Sequence, residues 1–447
     1  MSNKPEINLT PTASSRLRRL LGLGFALAVG VGGTLGTGVL SSPGELARAV
    51  PGAGLGLALW LVGGFYTLLA ANTLAELAGR RPQAGGWYGY AHAAFGEFAA
   101  VAVAWADWTS SCVTGALVAL LIGDYLSQLL QPLAHSLIHP FAIALTAVLG
   151  LGAVQLRGLR EGSRVQEITA LALLLGLLAV LGGNAALPAA SAPYPPVLAA
   201  SHLSAAALVA GLQVVIFAYD GWYAPIYFAE ETPQPGRTLS KALLGGVGAV
   251  LAIYLALHLS LARVLPAARL TESALPLAEV AAALAGPLGR RLTLVVGVGA
   301  LLGVLNSVLL MATRVLFALG RDGHLPARLA RVHAGGTPRA ALTVAVVFTA
   351  GLALSGTVAG LEAVTSILFV GYYTVGFAAL FRVRRAAAAD NEPYDGYRAW
   401  AHPASTALLL GLSGAFLLLN AVLDPVPALA AALLVAGSYP LWRWRRS

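Results

Sequence analysis

From residue 20 to residue 442 the chain is a succession of long apolar runs separated by short polar or basic connections. The runs lie near 20–44, 53–75, 96–126, 140–156, 164–183, 204–231, 239–262, 291–318, 340–356, 362–382, 404–421 and 426–442. A bilayer core needs about 20 apolar residues per helix, so the pattern predicts an all-α polytopic membrane protein of about twelve spans. Water is excluded as the solvent: 11% of the residues are charged, against about 25% in soluble domains. The same scarcity excludes disordered and collagen-like chains.

A net charge of +9 suggests a nucleic-acid partner until the basic residues are placed. With the N-terminus on the cytoplasmic side, only Arg48, Arg263, Arg269, Arg290 and Arg291 of the 28 lysines and arginines fall on the opposite face. The positive-inside rule therefore puts both termini in the cytoplasm of a cell with this protein in its cytoplasmic membrane. The basic balance records topology, and no nucleic acid is expected. The first apolar run is too long for a cleaved leader and lacks a small-residue cleavage site, so it is expected to stay as span 1.

Two spans carry helix breakers at corresponding places in the order. Span 1 contains glycines at 30, 32, 33, 36 and 38, followed by Ser41-Ser42-Pro43-Gly44, and span 6 contains Phe217-Ala218-Tyr219-Asp220-Gly221-Trp222 with Pro225 beyond. Glycine costs about 1 kcal/mol in a helix and proline about 3. Broken helices five spans apart point to an inverted-repeat transporter with its site at the midplane. The competing account of the same glycines is close helix packing. A nucleotide-loop reading fails because the spacing misses G-x-G-x-x-G and no strand precedes it.

Gly36-Thr37-Gly38-Val39-Leu40 with Pro43-Gly44 resembles the first-helix motif of the amino acid–polyamine–organocation (APC) superfamily. Ala75-Glu76-Leu77-Ala78 with Pro82-Gln83-Ala84-Gly85-Gly86-Trp87-Tyr88 is similar to its loop between helices 2 and 3. Phe217 to Glu231, then Pro235-Gly236-Arg237, looks like its helix 6. Asn306, Arg314, Arg321-Asp322-Gly323-His324-Leu325-Pro326 and Thr337-Pro338 resemble its helix 8 and the loop after it, and Pro276-Leu277-Ala278 its external loop. Phe-Ala-Tyr-x-Gly-Trp looks closest to the L-type amino acid transporter branch. The resemblance implies a 5+5 inverted repeat, with a tail at 1–19, repeats at 20–183 and 204–382, a cytoplasmic loop at 383–403 and two further helices at 404–442.

It also implies secondary transport of amino acids by alternating access; proton-coupled symport or exchange is expected, plain facilitation stays open, and no catalysis, cofactor or metal is expected. For an amino-acid zwitterion, an unwound helix 1 offers the amides of Thr37, Gly38 and Val39, beside Gly36, to a carboxylate. The carbonyls of Tyr219 and Asp220 are then acceptors for the ammonium group. Phe217, Tyr219 and Trp222 are gate candidates, with packing as the alternative. A charge at mid-bilayer is costly unless paired or hydrated, which singles out Asp107, with Ser111 one turn on, and Asp220. These two acids are candidates for a cationic group of the substrate or for a coupled proton, and Glu167 is a further proton candidate. The competing account makes each a hydrogen-bonded structural acid. Two central acids also suit a carrier of polyamines or other cationic amines. A transport-like receptor and an intramembrane enzyme are the alternatives of another class.

Some proton-dependent or exchanging members of the superfamily carry a lysine in helix 5, and its place here is taken by Leu173. Helix 8 offers few oxygens, chiefly Thr293 and Ser307, so sodium coupling is not expected. Animal L-type carriers hold a glycoprotein partner through a cysteine between helices 3 and 4. The single cysteine here, Cys112, is predicted inside span 3, so no disulfide-linked heavy chain is expected. His135 and His139 have metal-ligand spacing but no acidic or thiol partner.

Overall fold

The computed structural model describes residues 17–50, 52–134, 139–184, 187, 204–273, 275–355, 362–391 and 393–444. Apolar runs cannot leave backbone groups unpaired in lipid, and every run folds as helix, with no strand among the described residues. In chain order the helices are α1 (Leu23–Leu40), α2 (Ser42–Ala49), α3 (Ala53–Arg80), α4 (Trp87–Phe95), α5 (Glu97–Ala134), α6 (Pro140–Arg157) and α7 (Leu159–Gly183). They continue as α8 (Ala205–Tyr219), α9 (Pro235–Val264), α10 (Ala267–Glu272), α11 (Pro276–Arg321), α12 (Arg339–Ser355), α13 (Glu362–Ala389), α14 (Ala404–Leu423), α15 (Pro425–Ala436) and α16 (Ser438–Trp444). Among the described residues nine helical segments are long and apolar enough to cross a membrane, and shorter apolar helices accompany them at 23–36, 339–355 and 425–440.

The glycine-rich part of span 1 is not unwound. α1 runs through Gly36 and Gly38 to Leu40, and the interruption falls at Ser41, before the short α2. Span 6 breaks where expected: α8 ends at Tyr219 and the chain resumes as a 3-10 helix, Ala224–Glu231. The α8 start is fixed by Ser204, whose hydroxyl accepts the Ala207 amide at 3.0 Å. A further kink lies inside α11 at Ala285–Gly286, where Pro287 follows and Gly286 has φ +59°.

α3 packs along α9 and α5 along α11, while α1 lies against α7, α9 and α11. The contacts pair off across the two halves: α1 with α9 and α8 with α3, α5 with α12 and α11 with α6, α7 with α11 and α13 with α5. A buried amide network fixes α11 in this frame. Gln155 of α6 donates to the Asn306 side chain at 2.9 Å, and Asn306 donates to Gln166 of α7 at 3.0 Å. Gln166 in turn donates to the Ala28 carbonyl of α1 at 3.2 Å. Amides in hydrocarbon need such partners, and each interhelical bond contributes about 0.6–2 kcal/mol.

Candidate functional site

The break in span 6 sets the geometry. Asp220 leaves the helix with ψ 152°, and Gly221 takes φ +95°, a conformation that suits glycine. A Cβ on Gly221 would lie 2.9 Å from both the carbonyl carbon and the oxygen of Gly33. The two interrupted spans therefore touch backbone to backbone, as no pair of larger residues would permit.

Beside that contact lies a small cavity of about 20 Å³, lined by Gly33, Thr114, Phe217, Asp220, Gly221 and Ser307 and by apolar side chains of α11. One water needs about 10–15 Å³ of such space, so the cavity is water-sized. The Thr114 and Ser307 hydroxyl oxygens are buried and have no hydrogen-bond partner among the described residues. Partnerless hydroxyls next to a carboxylate make this a polar pocket inside an apolar bundle, and leaving such groups unpaired costs about 1–3 kcal/mol each.

Beside Asp220 stands a tyrosine cluster. Tyr373 of α13 donates its hydroxyl to Asp220. Tyr227, in the 3-10 helix, donates to Asp107, its oxygen 2.8 Å from both carboxylate oxygens. The Tyr223 and Tyr372 hydroxyls bond to each other at 2.9 Å. Ring centroids are 5.9 Å apart for Tyr223–Tyr227 and 5.2 Å for Tyr223–Tyr373, and Trp87 lies 5.0 Å from Tyr373. Offset and edge contacts at these spacings are favourable. Through these tyrosines the two acids belong to one assembly of hydrogen bonds and ring contacts, which meets the cavity at Asp220.

At one end of the bundle three ion-pair clusters join the spans. Arg314 of α11 and Glu231 form a pair at 2.9 Å with both side chains 0% exposed, and Arg321 meets Glu230 at 2.8 Å. Glu76 of α3 accepts from Arg80 at 2.7 Å, from Arg384 of α13, and from the Ala399 amide at 2.7 Å. One turn earlier, the Asn72 side-chain oxygen accepts from the Tyr397 hydroxyl at 2.7 Å and the Trp400 amide at 3.0 Å. The connection 393–403 is thereby strapped to the end of α3.

The sequence-derived candidates divide. Phe217 and Asp220 line the cavity. Asp107 and Ser111 are buried on α5 and fall short of it, while Thr114, one turn beyond Ser111, reaches it. Gly36 and Gly38 serve packing: a Cβ on Gly36 would collide with the Val304 side chain and one on Gly38 with the Tyr254 hydroxyl. Val39 is fully buried in an apolar cluster with Leu35 and Leu173. Because α1 is helical here, the amides of Thr37, Gly38 and Val39 lie within a helix rather than in an open segment; the Thr37 side chain lies outside the described residues. Tyr219 turns away from the cavity, donating to the Trp60 carbonyl at 3.1 Å. Trp222 packs in the aromatic cluster, 6.3 Å from Trp87. Glu167 is exposed near Gly24 and does not line the cavity. His139 is exposed, its ring nitrogen accepting the Phe141 amide, and His135 lies outside the described residues.

The residues that sequence reasoning passed over are Thr114, Tyr227 and Tyr373, and Gly33 was named only as a helix breaker. Thr114 was reachable by its i, i+3 relation to Ser111. The tyrosines were not, since an aromatic in a span reads as packing until its hydroxyl is seen to meet a carboxylate.

A family model described as amino acid permease matches residues 21–438. The serine/threonine exchanger SteT of Bacillus subtilis is 27% identical over 429 residues, covering 92% of this chain and 93% of the relative. An uncharacterized transporter of Mycobacterium tuberculosis is 30% identical over 426 residues, covering 94% and 90%. Human large neutral amino acids transporter small subunit 2 is 27% identical over 353 residues, covering 73% and 63%.

Proposed function

The chain belongs to the amino acid permease family, and on that premise we propose that it carries amino acids by alternating access around the break in span 6. It is a multi-pass membrane transporter of small molecules and not an enzyme. The observation that carries the reading is Asp220: an acid at a helix break, next to the Gly221 that meets the backbone of α1, lining a water-sized cavity with two hydroxyls partnerless among the described residues. Such a group is matched to the ammonium of an amino acid, and the cavity to the closed state of the cycle. The Gly33–Gly221 contact is the seam along which two bundles slide or part. The mirrored contacts of α1–α7 and α8–α13 support a repeat with its site at the seam.

Coupling is proposed to be exchange or proton symport, across the cytoplasmic membrane with both termini inside. Against sodium stands the spacing of the two hydroxyl residues considered on α11. Thr293 and Ser307 are fourteen residues, or about 21 Å, apart along the helix, too far to share one ion. A name such as serine/threonine exchanger supports a neutral amino acid as substrate. The second reading, a cationic amine, is favoured by Asp107 and Asp220 lying in one tyrosine assembly.

The test is uptake into proteoliposomes, screening amino acids and polyamines with and without internal substrate, an inward proton gradient and sodium. Saturable amino-acid uptake driven by internal amino acid or by protons is expected. Sodium-dependent uptake, binding without flux, or chemical change of the substrate would each overturn the proposal.

A further inference from the structure

Many helical hydroxyls of the bundle are satisfied within their own helices. Thr34, Thr67, Thr293 and Thr313 each donate to the carbonyl one turn back, at 2.7, 2.7, 3.0 and 2.6 Å. Ser127 and Ser413 do the same, a common arrangement for such side chains in a helix. Thr114 of α5 and Ser307 of α11 depart from it. They are 7% and 1% exposed, and neither oxygen has a partner among the described residues. Although they belong to different helices, both line the cavity that Asp220 also lines.

Gly33 leaves one of them open. A Cβ on Gly33 would lie 3.4 Å from the Ser307 Oγ, so a larger residue there would press on that hydroxyl. Phe217, Val304, Val308 and Met311 supply an apolar wall. The cavity thus combines one carboxyl, two unpaired hydroxyls and apolar surface within about 20 Å³. One water needs about 10–15 Å³, and a single hydroxyl group is of that size. Each of the two hydroxyls has one proton to donate and lone pairs with which to accept. One can therefore donate to a third hydroxyl while the other accepts from it.

We propose that Thr114 and Ser307 read a hydroxyl on the substrate side chain, so that the carrier favours small β-hydroxy amino acids over apolar ones of the same size. This rests on the reading of Asp220 as the partner of the substrate ammonium. Serine and threonine carry their hydroxyl on the carbon next to the one that bears the ammonium. The two groups are thus close enough to meet Asp220 and the hydroxyl pair around one small cavity, and a polar group farther along a side chain is not. Valine has the shape of threonine with a methyl group in place of the hydroxyl, and it would leave Thr114 and Ser307 unpaired. A site built to hydrogen-bond a ligand hydroxyl discriminates strongly against the analogue that lacks it, because its own buried polar groups then go unsatisfied.

The test compares threonine with valine, and serine with alanine, on the full chain. Uptake of each labelled amino acid into proteoliposomes gives kcat/KM, and the thermal shift each produces in the purified protein gives binding. A preference of about tenfold or more for threonine over valine is expected in both. Thr114→Val and Ser307→Ala should each bring that ratio toward unity, and Thr114→Ser, which keeps the hydroxyl, should retain it. If Thr114→Val does not fold, Ser307→Ala carries the comparison. Thr146→Val, at an exposed threonine of α6 bonded to its own helix, should leave the ratio as it is. A wild-type ratio near one, a ratio undiminished in Thr114→Val and Ser307→Ala, or a ratio lost equally in Thr146→Val would overturn the inference while amino-acid transport stands. Absence of flux for every amino acid would overturn the reading of function instead. The thermal shifts then decide by themselves: equal shifts from threonine and valine overturn the hydroxyl subsite, and a larger shift from threonine supports it.

Discussion

The Tyr227 hydroxyl stands 2.8 Å from both carboxylate oxygens of Asp107, and both residues are fully buried. Among the described residues one O–H, that of Tyr227, serves both oxygens of the Asp107 carboxyl. Leaving a buried polar group without its partner costs about 1–3 kcal/mol, so this contact decides whether Asp107 is tolerated. Tyr227→Phe should lower the melting temperature in detergent by the shift that corresponds to about 1–3 kcal/mol. Asp107→Asn should be milder, since its amide oxygen still accepts from Tyr227. Equal melting temperatures for wild type and Tyr227→Phe would contradict this.

The Gly33–Gly221 seam predicts an asymmetric response to methyl groups. Gly221→Ala must strain a positive φ, at about 1–3 kcal/mol, and push against backbone at 2.9 Å that has no rotamer to yield. Uptake should fall about tenfold or more with the protein still in the membrane. Gly36→Ala collides with the Val304 side chain and meets the Ala300 carbonyl at an ordinary 3.5 Å, so Gly36→Ala/Val304→Ala should recover most of the activity lost by Gly36→Ala alone. Failure of that rescue would show that Gly36 does more than pack.

Arg314 and Glu231 illustrate the cost of a broken buried pair. Removing one partner of a fully desolvated ion pair costs about 3–5 kcal/mol, while replacing both by apolar residues is often neutral. Glu231→Gln should therefore destabilise the protein strongly, and Glu231→Leu/Arg314→Met should restore much of the loss. Thermal unfolding of the three variants checks the ordering.

The strap at 393–403 carries a pH signature. His402 bonds the Thr406 hydroxyl at 2.9 Å. Burial, aided by the neighbouring Arg384 and opposed by Glu76, holds its pKa below the ordinary imidazole range. The docked strap thus favours neutral His402, and the free strap takes up a proton first. Docking should be fully stable above about pH 6.5 and weaken as pH falls below it. Hydrogen exchange of residues 393–403, corrected for intrinsic rate, should rise from pH 7.5 to pH 5.5, and His402→Gln should flatten that rise.

The span pattern was legible because lipid imposes a length and a composition that few alternatives satisfy. The span 6 break was legible for a related reason: Asp220-Gly221 with Pro225 cannot continue a helix. In span 1 the same breakers misled. Gly36 and Gly38 are spent on close approach to Val304 and Tyr254, and a glycine in a membrane helix serves packing and unwinding alike. Asp107 was identified by its cost in the bilayer, but not its partner, because the i, i+4 face of one helix says nothing about a tyrosine 120 residues away.

Asp220 is where the account is most exposed. The direct measurement is the concentration and pH dependence of amino-acid flux into proteoliposomes for the wild type and Asp220→Asn at matched protein density. The account expects Asp220→Asn to raise KM about tenfold or more, as loss of a charge-assisted contact does, and to change the pH profile. Unchanged affinity together with an unchanged pH profile would contradict it.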